Sequence, residues 1–103
     1  IVYSKKHNFA GVLDAVAESK GNLVIFDFKS ANGIYKEFAL QTAGYQIAYE
    51  EETGKKIKHR IILKLGKDDG VFEWKIFRDN AKDKKAFLSA LNLYNRLKEL
   101  EKN

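Results

Sequence analysis

The stretch Leu23-Val24-Ile25-Phe26-Asp27-Phe28-Lys29-Ser30 decides how the rest of the chain is read. A short apolar run rich in β-branched and aromatic residues predicts a buried strand. Side chains alternate along a strand, so Asp27 and Lys29 share one face, roughly 7 Å apart. Ionised groups enter such runs when they are paired or bound to a metal, so a compensating partner is expected. Upstream, Phe9 to Ala17 is a second apolar run carrying one acid, Asp14. Between the runs, Ser19-Lys20-Gly21-Asn22 has turn composition. A hairpin centred between Lys20 and Gly21 places Asp14 directly opposite Asp27, with Cβ atoms roughly 5 Å apart. Two carboxylates that close repel, and a divalent cation between them, helped by Lys29, relieves the repulsion. A one-residue slip would turn Asp14 to the other face.

The chain has 103 residues, which suits one domain with one modest core. With no Cys it holds no disulfide, thiol nucleophile or iron–sulfur cluster. No apolar run approaches a membrane span. The first residues, Ile1 to Ser4, already read as a strand, and the chain is expected to be an N-terminally truncated fragment. The net charge of +5 permits an anionic partner without identifying one.

Lys5 to Asn8 is a polar turn, so the first third reads as a meander of three strands, 1–4, 9–17 and 22–29. Ser30 to Gly33 is a loop in which Asn32 can cap a helix. Ile34 to about Glu52 has helical periodicity, with Ile34, Phe38, Ala43, Ile47 and Ala48 on the buried side. Gln41 and Tyr45 lie four apart on one face, and Gly54 reads as the C-cap. A strand to Leu65 follows, with Ile57, His59, Ile61, Leu63 and Leu65 on the inner face. Val71 to Phe77 returns, with Phe72, Trp74 and Ile76 inward. The outer face and preceding turn hold Lys55, Lys56, Lys58, Arg60 and Lys64. This set reads either as a stripe following a phosphate backbone or as a solvated sheet face. Asp79 or Asn80 caps a last helix to about Lys102, whose stripe of Phe87, Ala90, Leu91, Tyr94, Leu97 and Leu100 reads as core packing. The expected class is α+β: a mixed central sheet of about five strands with helices packed on it.

An acid two residues before a lysine is a weak signal alone. It occurs at Glu18, Asp27, Glu73 and Asp83, against about two occurrences expected by chance. Only Asp27 lies in a hydrophobic strand with a second acid opposite. Gly11-Val12-Leu13-Asp14, then Asp27-Phe28-Lys29-Ser30, then Gln41-Thr42-Ala43-Gly44-Tyr45 on the following helix together resemble the RecB-type branch of the PD-(D/E)XK nucleases. The match covers residues 9 to about 49 in order and spacing. It departs from the family in showing no helix before the first strand, which normally carries a further acid or His, and in lacking the cysteines of the iron–sulfur members.

The resemblance implies a single restriction-endonuclease-like domain over residues 1–103. It implies hydrolysis of DNA phosphodiesters, by an exonuclease rather than an endonuclease, in recombination, repair or phage DNA processing. Asp14 and Asp27, with the main-chain carbonyl of Phe28, would hold Mg²⁺ or Mn²⁺. Lys29 would position the attacking water or stabilise charge on the phosphate, and Gln41 and Tyr45 would orient these groups. Ser30, Lys55, Lys56, Lys58 and Arg60 would contact the DNA. The implied setting is the cytoplasm of a bacterial or phage-infected cell, with a helicase or recombination protein as a further partner. The other readings are an inactive nucleic-acid-binding module of the same fold and a structural domain in which Asp14, Asp27 and Lys29 form an ion triad.

Overall fold

The computed structural model describes residues 1–30 and 36–102. Its elements are β1 (Val2–Ser4), β2 (Phe9–Gly11), β3 (Ala15–Ser19), β4 (Asn22–Ser30), α1 (Glu37–Thr53), β5 (Ile57–Leu65), β6 (Phe72–Phe77) and α2 (Asn80–Glu101). The class is α+β. A four-stranded mixed sheet runs β3-β4-β5-β6, with β4 and β5 parallel and the outer pairs antiparallel. The parallel pair requires a crossover, and α1 supplies it.

The expected β3–β4 hairpin forms in the expected register, from Ser19 opposite Asn22 to Ala15 opposite Phe26. Lys20 and Gly21 both take positive φ, 52° and 80°. Two such residues in succession make the tight turn whose twist matches an antiparallel pair. The three-strand meander does not form. The run 9–17 breaks at Val12 to Asp14, and its first part pairs with β1 in a separate two-stranded sheet. That ribbon is fastened to the C-terminal end of α1. Ser4, fully buried, donates to Glu51 at 2.5 Å, and the Tyr3 and Lys6 amides donate to Glu52 and Glu51.

Helix α1 begins at Glu37 and ends on Gly54, whose φ of 72° is the left-handed conformation that favours glycine. The expected cap Asn32 and the expected buried Ile34 lie outside the described residues. The buried side of α1 is Thr42, Ala43, Gly44, Gln46 and Ala48. A helix-interior glycine lowers stability by about 1 kcal/mol relative to Ala and so needs a packing reason. At Gly44 the reason is α2. A methyl group there would stand 2.5 Å from the Phe87 ring, so the two helices approach through this gap. Asp79 caps α2 by accepting from the Lys82 amide.

Strand β5 is buried on both faces along its middle: Ile57 and Ile61 are buried as expected, but the face expected to be wet is buried as well. Arg60, Ile62 and Lys64, on the face toward α1, are all buried, while Leu65 on the other face is exposed. Polarity alternation sends charges to water, but these two charges have partners remote in sequence. Arg60, with no accessible surface, donates to the Ala39 carbonyl at 2.6 Å, to Thr42 and Asn80, and to Asp83 at 2.5 Å. Lys64 pairs with Glu73 at 3.0 Å. The guanidinium thereby ties β5 to α1 and α2 at once. Glu50 adds a second tie. Burial works to raise its pKa, yet hydrogen bonds from the Ile57 amide, Lys84 and Gln46 outweigh burial and hold it below the ordinary carboxylate range.

Two apolar sets expected in the core are at the surface. Phe72 and Trp74 are 70% and 67% exposed. With Phe28 and Leu65 they occupy the sheet face away from α1. Helix α2 packs on α1 rather than on the sheet, and Tyr94, Leu97 and Leu100 are exposed. No described helix is long and apolar enough to cross a membrane.

Removing one partner from a buried charge network leaves the others desolvated and unpaired, a loss of about 3–5 kcal/mol. Arg60→Ala should therefore destabilise the chain by about 3 kcal/mol in urea denaturation, since Asp83 keeps some access to water. Lys82→Ala, which removes only an exposed pair at 4.0 Å, should change stability by less than about 0.5 kcal/mol.

Candidate functional site

The site grows from the point where β3 leaves β4. Continuing the register one step past Ala15–Phe26 would set Asp14 against Asp27. The backbone departs there, and the Asp14 side chain takes over from the ladder: its Oδ2 accepts the Phe28 amide at 2.7 Å. The carboxylate thus replaces a main-chain acceptor and is held beside Asp27. Asp14 is exposed and Asp27 only 3% exposed. The expectation that both acids are buried in apolar surroundings is therefore met by Asp27 alone.

Lys29, two residues along the same face, brings its Nζ to 3.0 Å from Asp27 Oδ2 and donates to Gln41 Oε1 at 2.7 Å. Its ammonium also lies 4.9 Å from the centre of the Phe38 ring, a cation–π contact. Gln41 and Phe38 are one helical turn apart on α1, so that turn cradles the lysine from two sides. The part played by Phe38 was not legible beforehand, because an aromatic at a helical core position carries no separate signal.

Tyr45 stands one turn further on. Its ring fills the space that a side chain at Gly11 would occupy, since a methyl there would come within 2.7 Å of two ring carbons. Gly11 and Asp14 of the quoted sequence pattern therefore serve the same place, one by making room for the ring and the other by supplying a carboxylate. Burial, then the charges of Asp27 and Asp14, raise the pKa of the Tyr45 hydroxyl, so it stays protonated as a donor near the two acids.

Burial likewise raises the pKa of Asp27. The ion pair with Lys29 pulls it down, and the neighbouring Asp14 carboxyl pushes it up again. The net direction is upward, so desolvation and repulsion exceed what the lysine returns. Asp27 Oδ2 accepts no hydrogen bond among the described residues although it is buried, its contact with Lys29 being an ion pair without hydrogen-bond geometry. A buried oxygen with spare acceptor capacity, next to a second carboxylate, suits a hard divalent cation. Asp14, Asp27 and the Phe28 carbonyl are the oxygen donors this stretch offers. Among the described residues no third acid, His or Cys joins the two carboxylates.

The residues expected to contact DNA divide into three groups. Ser30 is exposed beside Lys29 and lines a groove with Phe28, Leu63, Leu65 and Phe72. Lys55, Lys56 and Lys58 are exposed and line one open pocket with Asn22 and Asn80. That pocket lies at the level of Leu23, four β4 residues before Asp27, about 13 Å away along the strand. Arg60 belongs to neither group, because its guanidinium is wholly committed inside the fold. The expected exposed stripe loses Arg60 and Lys64 for the reason given above.

A carboxyl whose folded pKa is raised destabilises the fold once it is ionised. The penalty is absent below its unfolded value of 3.8, grows as pH rises above that, and is complete above the folded pKa. Asp27→Asn should therefore raise the melting temperature at pH 7 in metal-free buffer, with the gain shrinking as the pH falls toward 4. A gain equal at both pH values would show that the Asp27 charge is not the source.

No protein-family model matches the chain, and no curated protein has a significantly similar sequence.

Proposed function

We propose that this chain is a metal-dependent DNA phosphodiester hydrolase domain of the PD-(D/E)XK type, an exonuclease of recombination, repair or phage DNA processing working in the cytoplasm. The observation that carries the reading is the convergence of Asp14, Asp27, Lys29, Gln41 and Tyr45, drawn from three separate segments. They gather around the buried carboxylate of Asp27, whose Oδ2 accepts no hydrogen bond among the described residues and is met by the Lys29 ammonium at 3.0 Å. The fit of hard oxygen donors to Mg²⁺ or Mn²⁺ supports it further. The bound ion would polarise the scissile phosphate and acidify a water.

The side chains supply the rest. Asp14 and Asp27 provide the negative charge that holds the cation. Lys29, as donor to Gln41 and ion-pair partner of Asp27, acts as a fixed cation for the negative charge that builds on the phosphate. This role fits its contacts better than proton abstraction does. Gln41 fixes the ammonium in place, and the Tyr45 hydroxyl, kept protonated, donates toward the phosphate or the water. Lys55, Lys56 and Lys58 meet the sugar–phosphate backbone at a second point along the sheet.

A structural reading has one observation in its favour: Asp27 already has a cationic partner at 3.0 Å. It treats Asp14, Asp27 and Lys29 as an ion triad, and the same experiments separate it from the hydrolase reading.

The purified protein with Mg²⁺ or Mn²⁺ should degrade linear DNA. Asp27→Ala should reduce degradation to background, and Lys29→Met should lower kcat by about 10²- to 10³-fold. Absence of cleavage of any DNA end with either metal would contradict the proposal. Changing Lys55, Lys56 and Lys58 together to Gln should lower the slope of log affinity against log salt by about 2 to 3. An unchanged slope would remove those lysines from the interface.

A further inference from the structure

A cleft of about 240 Å³ opens directly beside the site, lined by Phe9, Ala10, Gly11, Gln41, Gly44, Tyr45 and Phe87. Gln41 and Tyr45 belong to both places. Gln41 Oε1 accepts from Lys29, while the same side chain forms part of the cleft wall. The far wall is aromatic: the Phe9 and Phe87 rings meet with centroids 4.9 Å apart and planes tilted by 59°. Gly11 and Gly44 complete it, each too closely approached by a ring to carry a side chain.

These features belong together chemically. The cleft is smaller than the roughly 300–1,000 Å³ of pockets that enclose drug-sized ligands, so it suits one planar ring system rather than a whole nucleotide. Its walls are apolar and aromatic, as stacking requires. Its single amide, Gln41, keeps its Nε2 donor on no acceptor among the described residues, leaving it for a ring carbonyl or nitrogen. Gln41 Oε1 in its wall is held by the ammonium of Lys29 at 2.7 Å, the complement of a phosphate. A nucleotide has this same layout, an anionic group joined to a flat base.

We infer that this cleft receives the base of the nucleotide beside the scissile phosphate, with Phe87 and Phe9 as its stacking surface and Gln41 as the link to Lys29. The inference rests on the hydrolase reading for the position of the phosphate, and it adds that an unpaired substrate end is preferred, since a paired base must first break from its partner to enter. The subsite is sequence-tolerant, because every base has a π face.

Two readouts test it with the whole chain. A single-stranded oligonucleotide carrying 2-aminopurine at its terminal nucleotide, titrated in EDTA, should lose fluorescence on binding. Phe87→Leu should abolish most of the quenching and Phe87→Tyr should retain it. With Mg²⁺, replacing the terminal base by an abasic residue should lower kcat/KM about tenfold, mainly through KM. In Phe87→Leu the abasic and normal ends should be cut within about twofold of each other. Should Phe87→Leu fail to fold, Phe9→Leu tests the same wall. Quenching that depends on Phe87 or Phe9, in a protein that cuts no DNA, would support the base subsite and remove the hydrolase reading. Equal rates on normal and abasic ends, or quenching indifferent to both phenylalanines, would overturn the inference.

Discussion

A carboxylate held out of water is the constraint on which this molecule turns. Asp27 sits on an inner strand of the sheet, under α1, where an ionised group is stable only with compensation. Each neighbouring feature answers that need or adds to it. Lys29 offsets the charge in part, and Asp14, hung on the Phe28 amide, works against it. The Tyr45 ring packs over Gly11, and its hydroxyl lies in the field of both acids. The result is a place of surplus negative charge, built from groups that would be more stable apart.

The scaffold explains why such a place can persist. The hairpin turn at Lys20 and Gly21 fixes the β3–β4 register, and the register decides that Asp14 reaches Asp27 rather than the other face. The fully buried Arg60 and the partly buried Glu50 fasten α1 to β5 and α2, so the turn bearing Phe38 and Gln41 cannot drift from Lys29. Stability invested in those remote networks holds a frustrated cluster together, a division found where function needs local strain.

Much of this was legible in the residues alone, and what was not has a common cause. Local rules located the turn, the Gly54 cap, the second helix cap to Asp79 or Asn80, the shared face of Asp27 and Lys29, and the pairing that sets the two acids side by side. They failed for Arg60 and Lys64 on β5 because alternation assigns charge to solvent unless a partner is known. The partners of Arg60 and Lys64, Asp83 and Glu73, sit on elements whose placement depends on the fold itself. They failed at Phe72, Trp74, Tyr94 and Leu97 for the opposite reason, since an apolar stripe tells which side could be buried and not whether anything covers it. The break at Val12 to Asp14 was invisible because its cause is a side chain replacing a main-chain hydrogen bond. Gly44 could have been found: a glycine inside a helical pattern asks for a close neighbour, and Phe87 is that neighbour.

The account stands on the two acids acting as one receptor for a divalent ion. Isothermal titration of the metal-free protein with Mg²⁺ and Mn²⁺ addresses this directly, without reference to any substrate. The account predicts one binding event per chain, lost in both Asp14→Asn and Asp27→Asn while each variant keeps its fold. Binding that survives either substitution, or no binding to the native protein at millimolar metal, would contradict it.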